Sequence, residues 1–129
     1  MIIIGEKINS TRKSVKEAIS KKDTAFLQKL AQDQAEAGAD YLDVNTGAFV
    51  EEETQLMEWL VQTVQNVVEL PLALDSANPD ALEAGLKVAA GGKPIINSIT
   101  AEKTRFKKVL PLVLQYDAGV LALAMDDSG

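Results

Sequence analysis

Five short apolar runs punctuate this chain, and each stops at a cluster of carboxylates or amides. Ile2-Ile3-Ile4 leads into Gly5-Glu6-Lys7-Ile8-Asn9, and Tyr41-Leu42 into Asp43-Val44-Asn45-Thr46-Gly47. Leu72-Ala73-Leu74 meets Asp75-Ser76, Ile95-Ile96 meets Asn97-Ser98, and the run from Val120 to Met125 meets Asp126-Asp127. Amphipathic stretches of helical period separate the runs. A chain that alternates in this way calls for an α/β fold with a parallel sheet and right-handed crossovers. The carboxyl ends of such strands converge on one face, where ligands bind in barrels and open sheets alike.

The intervening segments carry their own punctuation. Residues 9–22 are polar and lysine-rich, and are expected to form a loop with an irregular helical turn around Val15 to Ile19. A helix is expected over 23–37, with Asp23 as N-cap and Gly38 as its stop. A second is expected over 51–69, where Leu56, Trp59, Leu60, Val64 and Val67 recur at helical spacing and Pro71 follows. Its first turn would hold Glu51, Glu52 and Glu53, placed to complement the helix dipole. Asn78-Pro79 opens a third helix, which ends at Gly91-Gly92. A fourth starts after Thr100, and Pro111 predicts a kink or a break into two short helices.

Two architectures accommodate this order. A five-stranded doubly wound sheet closes near this length, whereas an eight-stranded barrel needs about 250 residues, so 129 residues would be its first half plus one strand. Composition narrows the function rather than the fold. A net charge of −6 speaks against nucleic acid, which wants a basic face. No segment is long and apolar enough to span a bilayer, and the absence of cysteine fits a cytoplasmic protein. With neither His nor Cys, the commonest general base, metal ligand and nucleophile are all missing. Chemistry is left to carboxylates, amides, hydroxyls, lysines or a bound cofactor; no residue is singled out as catalytic, and a metal site has no support.

Asp75 leaves a buried run with two oxygens side by side, able to accept two parallel N–H donors from a guanidinium or an aminopyrimidinone ring. Each such charged bond contributes about 1.5–3 kcal/mol. Asn97 offers both a donor and an acceptor, so it can match a mixed ring edge. Helix capping is the plainer role for either residue taken alone. The order of the clusters changes that balance. The series Gly5-Glu6-Lys7-Ile8-Asn9, Ala37 to Asn45, Leu74-Asp75-Ser76, Glu83-Ala84-Gly85-Leu86 and Ile95-Ile96-Asn97-Ser98 closely resembles the amino-terminal half of the pterin-binding methyltransferases. The likeness is strongest to methyltetrahydrofolate:corrinoid methyltransferases, with the folate domain of methionine synthase and dihydropteroate synthase more distant.

That resemblance implies the first half of a (β/α)8 TIM barrel, about five strands over residues 1–129, with the barrel incomplete in this chain. It implies transfer of the N5-methyl group of methyltetrahydrofolate to the Co(I) of a cobalamin carried by a partner corrinoid protein. Asp75 and Asn97 correspond to the residues that hold the pterin; Glu6, Asn9, Asp43 and Asn45 line or support the same cup. Ser76 and Ser98 flank it as further binding residues or as caps. Met125, Asp126 and Asp127 match the end of the fifth strand. The family's three further strands carry other pterin contacts, so the piece is expected to hold a partial site. An open half-barrel exposes one strand edge, and a homodimer is the expected form.

Three other readings accompany this one. A non-catalytic, self-associating pterin-binding fragment would need only the cup. A dihydropteroate synthase-like enzyme would want a late Lys and an Arg-His constellation. A receiver-like domain would want an acidic pair after the first strand and a lysine after the fifth, and neither pattern is present.

Overall fold

Strand order decides between the two architectures. The structure, a computed structural model, describes residues 1–99 and 103–122; the side chains at 98, 99, 103–106 and 122 fall outside that description, as do Met125, Asp126 and Asp127. The strands β1 (Ile4–Asn9), β2 (Tyr41–Asn45), β3 (Leu72–Asp75), β4 (Ile95–Ile99) and β5 (Gly119–Ala122) pair in parallel, in the order β1-β2-β3-β4-β5. A doubly wound sheet reverses direction part-way across, at its switch point. Here the sheet advances one strand at a time, as the wall of a (β/α)8 barrel does.

Helices α1 (Lys13–Ser20), α2 (Thr24–Glu36), α3 (Glu53–Gln65), α4 (Pro79–Val88) and α5 (Lys103–Tyr116) follow the winding, each packed on the next in one continuous layer. Between this layer and the sheet lies a single core. Ile8, Val44, Leu74 and Ile96 are in register across four strands and fully buried against Leu27, Leu56, Met57, Leu60, Val61 and Leu82 of the helices. Each large side chain buried in this way contributes about 1.5–3 kcal/mol. Close approach of α4 to β3 depends on Gly85: a Cβ there would lie 2.9 Å from Leu74 Cδ1.

Several local expectations hold. The Asp23 side chain caps α2 by accepting from the Phe26 N–H, and Gly38 after its end takes φ +99°, where glycine carries no Cβ penalty. Asn78 caps α4 with Pro79 at its first position.

Others are corrected. The loop expected over 9–22 contains a two-turn helix, α1, because Val15, Ala18 and Ile19 fall at i, i+3 and i+4 and are buried. The α3 helix is shorter than 51–69, and of the three glutamates only Glu53 lies within it. Pro111 sits inside a single continuous α5 rather than between two helices. Its exposed position leaves the carbonyl it cannot serve within reach of water.

Candidate functional site

In a parallel sheet, residues in register point the same way. One step beyond the buried row, Asn9 pairs with Asn45, Asn45 with Asp75, and Asp75 with Asn97. Four polar residues therefore form a transverse row at the carboxyl ends of β1 to β4, on the face opposite the helices. One row below, Asp43 is in register with Ala73, and Ala73 with Ile95. Asn97 Nδ2 nevertheless donates to Asp43 Oδ2 at 2.5 Å, reaching from β4 to β2 across the intervening strand. Two strand spacings separate their backbones, roughly 9.5 Å. The small side chain of Ala73 leaves that space open, and the contact marks the concave side of the sheet.

The floor of this concavity is electrostatically uneven. Asp43 is only 2% exposed. Burial pushes its carboxyl up from 3.8 to about 7; the nearby charges of Asp75 and Glu6 and a hydrogen bond with Asp75 add to the rise, and the Asn97 hydrogen bond opposes it. Asp43 therefore keeps its proton through the mildly acidic range, and in that form it can donate to Asp75. Asp75 remains an acceptor facing the cup, half-buried and approached by no other donor among the described residues. Asn97 commits an amide hydrogen to Asp43, and its side-chain oxygen accepts no hydrogen bond among the described residues.

The asparagines on β1 and β2 have a different share of the work. Asn9 Oδ1 accepts from the Thr11 N–H at 2.9 Å and the Thr11 hydroxyl at 2.8 Å, closing the turn into α1. Asn45 Oδ1 accepts from the Ser10 hydroxyl and the Gly47 N–H, both at 2.8 Å, while the Ser10 hydroxyl accepts from the Ala48 N–H at 3.0 Å. Their oxygens hold the loops, and their NH2 groups make no hydrogen bond among the described residues. Glu6 is exposed on β1, with its charge felt at Asp43.

Ser76 does not join the row, and its hydroxyl sits in a turn at the start of α4, as a cap would. Its hydroxyl donates to Glu53 Oε2 at 2.6 Å and accepts from the Asn78 N–H at 2.9 Å, within the helix side of the rim. The Ser98 side chain lies outside the described residues. Glu53 was not legible in the sequence as anything but one of three first-turn glutamates. The signal that could have found it is its helical spacing to Leu56, Met57 and Leu60 on the buried face.

The profile of the pterin binding enzymes matches residues 5–129. The chain belongs to this family. Over its whole length it is 40% identical to a methylcorrinoid:tetrahydrofolate methyltransferase of Eubacterium limosum, covering 48% of that protein. It is also 33% identical to the methionine synthase of Mycobacterium leprae (strain TN) and 32% to that of Mycobacterium tuberculosis (strain ATCC 25618 / H37Rv), again over the whole chain but only 11% of either relative. The chain thus spans about half the length of the first of these relatives. The parallel five-stranded arc is consistent with part of a TIM barrel of the pterin-binding type.

Proposed function

We propose that this chain supplies the pterin floor of a methyltransferase that moves the N5-methyl group between methyltetrahydrofolate and the cobalt of a corrinoid protein. The observation that carries the reading is the Asp75 carboxylate, approached by no donor but Asp43 among the described residues, beside the Asn97 side-chain carbonyl in the polar row. The pterin edge offers adjacent N–H donors, which suit two carboxylate oxygens; Asn97 takes a further donor. Asn9 and Asn45 contribute NH2 groups at the flank, and Glu6 adds negative charge at the β1 side. Ser98 is the remaining residue assigned to the site.

The partner's cobalamin supplies the metal that takes or gives the methyl group, so this chain needs no nucleophile of its own. Its residues orient the ring and hold a proton. A neutral tertiary amine leaves poorly unless N5 is protonated or hydrogen-bonded as the bond breaks. The acid proton of Asp43, next to Asp75, lowers the negative charge beneath a ring lying over the pair and supplies an O–H donor there. The E. limosum relative's name writes the transfer from methylcorrinoid to tetrahydrofolate, the reverse of the direction expected from the sequence. The same pterin contacts serve both directions, because forward and reverse transfer share one transition state.

Residues 1–129 form, in this reading, the amino-terminal part of a barrel domain working in the cytoplasm. No helix among the described residues is long and apolar enough to cross a membrane. A homodimer belongs to the same reading as an expectation. Calorimetric titration with methyltetrahydrofolate tests the proposal. Micromolar binding that disappears in Asp75→Ala is the expected result; binding by the variant with wild-type affinity would overturn the site assignment.

A further inference from the structure

Glu53 is 8% exposed at the first position of α3, where a carboxylate complementing the helix dipole would ordinarily face water. It turns inward instead. Its Oε2 accepts the Ser76 hydroxyl at 2.6 Å, the length of a charge-assisted bond, and its backbone carbonyl accepts the Thr46 hydroxyl at 3.2 Å. Ser76 is held from two more sides: its N–H donates to the Asn97 carbonyl at 3.3 Å and its hydroxyl accepts from the Asn78 N–H. The Glu53 carboxylate thus joins the start of α3 to the residue after β3, while the Glu53 backbone carbonyl reaches the end of β2 and Ser76 itself reaches β4 and the cap of α4. Burying a charge is costly, and an apolar residue of similar size would serve packing better.

We propose that Glu53 is a positioning residue for Asp75. It clamps Ser76, the next residue in the chain, so that the Asp75 carboxylate is held toward Asp43 and the cup. The inference rests on the pterin-site reading above for its binding readout and on the Asp43–Asp75 contact for a second one. A displacement of about 1 Å in a positioning group can cost about 100-fold.

The test compares Glu53→Met, which keeps the volume and removes the acceptor, with Glu53→Gln, which keeps an acceptor oxygen for Ser76. Two quantities are measured on folded protein: methyltetrahydrofolate affinity by calorimetry, and the titration of the Asp43–Asp75 pair by carbon-13 NMR of labelled aspartates without ligand. In Glu53→Met, affinity is expected to fall about tenfold or more and the pair's titration to move, with Glu53→Gln restoring both. Ser76→Ala breaks the same link while leaving the glutamate in place, and stands in if Glu53→Met does not fold. Wild-type affinity together with an unmoved titration in Glu53→Met or Ser76→Ala overturns the inference, as does failure of Glu53→Gln to rescue. Absence of pterin binding by the wild-type protein would instead count against the pterin reading, and the NMR titration would still decide the role of Glu53.

Discussion

Asp75 and Glu53 are carboxylates on opposite sides of one strand end, and their surroundings differ in kind. Glu53 is buried on the helix side with a hydroxyl donating to it. Asp75 is half-buried on the open side, approached among the described residues only by the acid proton of Asp43. A charge enclosed with its donor builds structure, whereas one with spare acceptor capacity on an open face is available to a ligand. The same contrast runs along the whole sheet. Ile8, Val44, Leu74 and Ile96 seal one face, while the row one residue further on, from Asn9 to Asn97, stays polar and open. A single residue step separates core from site because side chains alternate along a strand.

The contrast can be broken from either side, and the expected effects differ in size and in kind. Asp75→Ala should weaken methyltetrahydrofolate binding by at least about 100-fold, since two charged hydrogen bonds of about 1.5–3 kcal/mol each are lost. Its urea midpoint should stay close to that of the wild type. Leu74→Ala, one residue earlier but on the sealed face, should do the opposite. It should cost about 2–5 kcal/mol in urea unfolding, with ligand affinity of the folded fraction unchanged.

The proton on Asp43 sharpens the comparison through pH. The folded carboxyl titrates near 7 and the unfolded one near 3.8, so between these values the folded state binds the extra proton. Stability from this group is fully present below 3.8, declines as pH rises, and is lost above about 7. Asp43→Asn reproduces the protonated pattern and cannot ionise. It should flatten the decline and exceed the wild type in stability at pH 8, on the order of 1.4 kcal/mol for each unit of pKa difference. Equal urea midpoints for the two proteins at pH 5 and pH 8 would remove the shared proton from the account. The smallest effect belongs to the rim: Ser10→Ala strands the Ala48 N–H and frees Asn45, and should cost about 1–3 kcal/mol in thermal unfolding.

Much of this was legible in the chain, for reasons that differ from residue to residue. Asp75 and Asn97 stood out because each ends an apolar run, and strand alternation then places them on one face. The caps at Asp23 and Asn78 were legible because capping depends on the next three residues alone. For α1 the sequence supports only a helical turn around Val15 to Ile19 within a loop, since eight residues carry three apolar positions, too few to outweigh the surrounding lysines. Pro111 does not break α5 in two, because exposure, which lets water serve the orphan carbonyl, is not written in local sequence. Ser76 was grouped with the site, although its hydroxyl is occupied by a glutamate 23 positions away.

The sequence by itself determined the alternation of strand and helix, the buried faces, and the row of polar residues at the strand ends, all consequences of period and local chemistry. Periodicity left the strand order open, the motif resemblance implied a barrel wall, and tertiary structure alone decided that Asn97 reaches Asp43 across a strand and that Glu53 turns inward to Ser76. Those facts depend on curvature and on which distant side chains share a low-dielectric space. No local pattern encodes them, because the interaction exists only once the chain has closed around it.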